Sequence, residues 1–123
     1  MLKMEFHEGF TERLLSGSLE FDGLASVKYT IKGFRIKQRV GAFEVPEKFN
    51  TLYQEVVSKL EQLNDVYESG WDDLGHERII ISSEALTKTI KIDGPIERTS
   101  LSQHEIMFFE LKNLLISEVY KRV

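Results

Sequence analysis

The sequence predicts an α+β fold, an antiparallel or mixed sheet of five to six strands with two helices, in the order β-β-β(-β)-α-β-β-α. Three observations carry that expectation. Apolar residues alternate singly along the early chain, the period of a half-buried strand. From Phe49 to Tyr67 they recur at spacings of three and four, as on one face of a helix. After a β-branched stretch, Ser102-Gln103-His104-Glu105 has the form of a capping box that opens a second helix.

Taken in order, Leu2, Met4 and Phe6 alternate with Lys3, Glu5 and His7, and Glu8-Gly9 offers a turn. Leu15, Gly17, Leu19 and Phe21 then share one face, with Ser16, Ser18, Glu20 and Asp22 on the other, before the hairpin dipeptide Asp22-Gly23. Val27, Tyr29 and Ile31 oppose Lys28, Thr30 and Lys32. Beyond Gly33, read as a turn or bulge, Phe34, Ile36 and Val40 are expected inward and Arg35, Lys37 and Arg39 outward.

Pro46 is read as the first residue of a helix, with Glu47 complementing its dipole. Phe49, Leu52, Tyr53, Val56, Leu60, Leu63 and Tyr67 form its apolar stripe, and Gly70 is expected to end it. The runs Arg78–Ser82 and Thr87–Ile92 flank Ser83-Glu84-Ala85 as a hairpin, which Asp93-Gly94-Pro95 stops. The final helix runs from the Ser102 cap nearly to the end of the sequence.

With 123 residues, 41% hydrophobic and 29% charged, the sequence fits a single domain over 1–123 with one core. No stretch reaches the roughly 20 apolar residues of a membrane-spanning helix, and no signal-peptide pattern opens it, so a cytoplasmic protein without membrane contact is expected. The absence of cysteine excludes disulfides and thiolate chemistry and leaves His7, His76 and His104 as the nitrogen ligands. Asp72, Asp73, His76 and Glu77 lack any recognised ligand spacing, so neither a metal nor another cofactor is expected. G-x-S-x-G, phosphate-loop and dinucleotide motifs are missing too. The expectation is a protein that is not an enzyme.

Three features bear on binding. Between Glu61 and Glu77 the chain carries Glu61, Asp65, Glu68, Asp72, Asp73 and Glu77 with no Lys or Arg, around the single tryptophan, Trp71. An acidic loop with one large aromatic suits docking on a basic protein surface, with Glu68, Trp71, Asp72, Asp73 and Glu77 as contacts. Between Gly23 and Phe43, by contrast, Lys28, Lys32, Arg35, Lys37 and Arg39 stand without an acidic residue, a basic face suited to nucleic acid or another anionic ligand.

The last helix shows a broad apolar face (Met107, Phe108, Leu111, Leu114, Leu115, Val119) and a second stripe of Ile106, Phe109, Ile116 and Tyr120. Glu105 and Lys112 are read as polar separators between the two. The second stripe is either covered within the fold or offered to another copy of the chain. The preferred reading is a non-enzymatic protein-binding module, best described as a bacterial toxin-neutralising, immunity-type inhibitor. A nucleic-acid binder and a self-associating structural subunit are the alternatives.

Overall fold

A computed structural model describes residues 1–8, 15–69 and 75–123. The early alternation folds as four strands, β1 (Leu2–His7), β2 (Ser16–Phe21), β3 (Ser26–Gly33) and β4 (Ile36–Glu44). Helix α1 (Glu47–Ser58) follows, then β5 (Val66–Glu68), the hairpin β6 (His76–Ser82) and β7 (Thr87–Asp93), and helix α2 (Gln103–Tyr120). All seven strands join one sheet in the order β4-β3-β2-β1-β6-β7-β5. Every neighbouring pair is antiparallel except β5 with β7.

The period of two explains the layering. On β1, Leu2, Met4 and Phe6 are buried while Lys3, Glu5 and His7 are exposed. Leu19, Phe21, Val27, Ile31, Ile79, Ile81, Ile90 and Ile92 continue the buried side on neighbouring strands, and all join one core with Phe49, Tyr53 and Val56 of α1 and Phe108, Leu111, Leu115 and Val119 of α2. Both helices therefore cover the same face of the sheet. The opposite face carries Lys3, Glu5, Glu20, Lys28, Lys32 and Arg78 in the open.

At Asp22-Gly23 the turn forms as its chemistry requires. Gly23 has φ of 86°, and Asp22 Oδ1 accepts from the backbone N–H groups of Leu24, Ala25 and Ser26 at 2.7, 2.9 and 3.1 Å. The capping box at the head of α2 is also present: Ser102 Oγ accepts from Glu105 N at 3.2 Å and Glu105 Oε1 from Ser102 N at 2.9 Å.

The sheet has seven strands where five to six were expected, and the additional one comes from the supposed end of α1. That helix stops at Ser58, with Pro46 as its N-cap, rather than continuing towards Gly70. A 3-10 turn at Leu60–Gln62 follows, and Leu63 is already extended. Leu60, Leu63 and Tyr67 are buried as their spacing implied, although Leu60 lies in the 3-10 turn, Leu63 in extended backbone and Tyr67 on β5. Buried His104 of α2 meets this end of α1: its Nε2 lies 3.1 Å from the Val56 carbonyl oxygen, which only accepts, so Nε2 carries the donated proton. The Val56 carbonyl, which also accepts from Lys59 N at 3.4 Å, thus receives a further hydrogen bond from the other helix.

Candidate functional site, an acidic and a basic sheet edge

Strand β5 forms one edge of the sheet, and its parallel pairing places Glu68 opposite Asp93 of β7, both side chains exposed. Among the described residues no cation forms an ion pair with either. Two carboxylates in register repel, costing a few tenths of a kcal/mol or more. Further along the same edge, Glu61 and Asp65 are exposed and Val66 is 46% exposed between the acids. Lys88 stands 3.7 Å from Asp65, but its ammonium also donates to the Leu63 carbonyl, which draws it beneath the edge. A shallow groove of about 560 Å³ runs here over Val66 and Leu86, rimmed by Glu61, Asp65, Lys88 and Lys91.

Of the acidic-loop residues, Trp71, Asp72 and Asp73 lie outside the described residues, and Glu68 is on the edge. Glu77 is elsewhere: it shares the helix-covered face with Phe6 and Ile92, its neighbours in register, and accepts from buried Lys112 at 2.9 and 3.1 Å. Its expected place in an exposed acidic surface is corrected, because the strand period turns Glu77 inward when His76 faces outward. His76 and Glu77 therefore cannot share a metal ion. Lys112, expected as a polar separator between the two apolar faces, is only 8% exposed.

Strand β4 forms the other edge; Ile36 packs partly buried against the core as expected, but the expected parity fails beyond it. The β3–β4 register shifts between Ile31 and Gly33, a bulge that reverses which side chains face the helices. Arg39 lies opposite buried Ile31 and donates to the Arg122 carbonyl at 3.4 Å, whereas Val40 is 71% exposed on the open face. Lys28 and Lys32 keep the open face, so the five basic residues do not form one surface.

Phe34 is likewise not inward. It occupies the hairpin tip beside Arg35, whose φ is 57°, and is 57% exposed with the Arg35 guanidinium 5.0 Å from its ring centroid. Lys32, Arg35, Lys37 and Arg39 are all exposed around this tip and the adjoining edge.

The second stripe of α2 is largely occupied within the fold. Phe109 is buried with its ring edge-on to Tyr67 at 5.2 Å, Tyr120 is edge-on to Phe6 at 6.0 Å, and Ile116 packs against the core. Ile106 is partly exposed.

At one end of the open face, His7 and His76 are opposite in register with ring centroids 4.5 Å apart. Burial, then the neighbouring imidazole, holds the His7 pKa below its ordinary 6.5. Among the described residues no group of three or more His, Asp or Glu is placed to hold a metal ion, and no helix is long and apolar enough to cross a membrane.

The features that sequence reasoning missed are the exposed Phe34, the Lys112–Glu77 pair and the His7–His76 opposition. The helical period did contain a sign of the second, since Lys112 follows Phe108 by four positions on the buried stripe. The chain matches no protein-family model, and no relative is found among curated proteins.

Proposed function

We propose that this chain is a protein-binding module that docks its acidic β5 edge on a basic partner, and that the partner is a toxin which it neutralises. The observation that carries the reading is the registered Glu68–Asp93 carboxylate pair at the edge, exposed and without an ion-pair partner among the described residues. Such a pair weakens the isolated fold and gains when a guanidinium or ammonium from another molecule sits between the two groups. Glu61, Asp65 and the exposed Val66 extend the surface into an apolar centre with an acidic rim. Toxins that cleave nucleic acid have basic clefts, and carboxylates on a strand edge can occupy positions that phosphates otherwise take.

The test is co-expression with the product of the adjoining reading frame. The chain should relieve growth arrest caused by that product and co-purify with it, the complex weakening as salt rises. The Glu68→Lys/Asp93→Lys variant should fold and fail to protect. Protection by this variant equal to that of the wild type would overturn the acidic-edge reading, and a neighbour that is not toxic would remove the neutralisation reading.

A further inference from the structure

We infer that the β3–β4 hairpin tip is a binding site for single-stranded nucleic acid, with Phe34 as a base-stacking platform and Lys32, Lys37 and Arg39 as phosphate contacts. This inference is independent of the acidic edge. The tip combines two elements that unpaired strands require: a projecting aromatic side chain, 57% exposed, and cations on both sides of it. Lys32 stands on the open face, Arg39 lies in register on the helix-covered side and Lys37 is on the strand between them, so the edge is positive from either direction.

Arg35 stacks its guanidinium at 5.0 Å from the Phe34 centroid, which adds a cationic surface to the platform. From Gly23 to Phe43 the sequence itself contributes no acidic residue.

The net charge of -4 does not oppose this assignment. In a seven-stranded sheet the β5 and β4 edges stand six strand spacings apart, about 29 Å at about 4.8 Å each. The Debye length at physiological salt is about 8 Å, so the acidic edge is screened from the basic one. Protection of an exposed edge strand explains lysines and arginines on β4 and explains the bulge, but it does not explain a phenyl ring left in water at the tip. Because base faces are covered in a duplex, a phenyl platform selects unpaired strands.

The experiment is fluorescence anisotropy of labelled twelve-residue oligo(dT) and oligo(U), begun at low salt. Saturable binding is expected, with a log–log salt slope of about -2 to -3 for three to four phosphate contacts. Phe34→Ala should weaken it at least about fivefold while leaving the melting transition unchanged, Phe34→Trp should retain it with quenching of the new indole, and Lys32→Glu/Lys37→Glu should abolish it. Duplex DNA and polyphosphate should compete poorly, and Glu61→Lys/Asp65→Lys should leave Phe34 dependence intact. No binding at low salt overturns the inference. So does binding indifferent to Phe34 and displaced equally by polyphosphate, which is charge alone, or preferential Phe34-dependent binding of polyglutamate, which assigns the tip to an acidic protein.

Discussion

The Lys112 ammonium lies 2.9 and 3.1 Å from the two carboxylate oxygens of Glu77, joining the middle of α2 to the helix-covered face of β6. Their side chains are 10% and 19% exposed, so most of their hydration has been replaced by each other. Lys112→Met should destabilise the fold by about 2–4 kcal/mol, because it leaves Glu77 partly buried and unpaired. Lys112→Met/Glu77→Leu should recover much of that loss. Urea denaturation of the two single variants and the double variant measures the coupling.

A methyl group at Gly41 would stand 2.6–2.8 Å from the Tyr29 ring and hydroxyl, and one at Gly17 would meet the Thr30 carbonyl of the neighbouring strand and the Phe6 ring. Gly41→Ala is expected to cost about 1–3 kcal/mol, and much less in a Tyr29→Ala background. At Gly17 the obstacle is backbone, so removing a side chain should give no comparable rescue. Thermal melts of the paired variants distinguish the two cases.

Stability should form a plateau with acid and alkaline limits. Burial acts to raise the carboxyl pKa of Asp22, but three backbone donors and the amino terminus outweigh it and hold the value below the ordinary 3.8. Burial likewise acts to raise the Glu105 carboxyl, but hydrogen bonds from Ser102 and Tyr67 outweigh it and hold the value below the ordinary 4.5. These depressed carboxyls contribute stability that is complete above their unfolded values and lost as pH falls through the folded ones. Tyr67, raised above 10.0 by burial and by its 2.5 Å bond to Glu105, contributes stability present below pH 10.0 and lost as pH rises through its folded value. Denaturation midpoints across pH should show both limbs, with Tyr67→Phe flattening the alkaline one.

Proton NMR should show the His7 imidazole titrating below 6.5. His76→Asn removes the neighbouring charge but leaves the larger effect, burial, in place. The titration point should therefore rise without reaching the ordinary value. A His7 that titrates normally in the wild type contradicts the packing described for the pair.

Loss of the Ser102 hydroxyl removes one half of the reciprocal cap at the head of α2. Ser102→Ala should cost about 1 kcal/mol, measurable by chemical denaturation.

The strands β1, β2, β3, β6 and β7 and the start of α2 were legible because each rests on local chemistry: an alternating face, the Asp22-Gly23 turn, the Ser102–Glu105 cap. What was not legible depends on contacts distant in the chain. Leu60, Leu63 and Tyr67 keep helical spacing, and nothing near them indicates that α1 stops at Ser58. The parity of Arg39 and Val40 turned on a single bulge, and Phe34, expected in the core, sits instead in the turn at the hairpin tip. Glu77 was read with its acidic neighbours although one step along a strand separates the two faces of a sheet.

The acidic edge is tied to elements that follow it in the chain. Strand β5 holds the sheet through Lys91, Ile92 and Asp93 of β7, and Tyr67, at its centre, bonds to Glu105 on α2. A nascent chain ending before α2 lacks the imidazole that meets Val56 and the carboxylate that bonds to Tyr67. Its residues 60–67 still have the spacing to continue as helix. The surface proposed to meet a partner thus depends, through Tyr67, on a carboxylate that follows it by 38 positions in the chain.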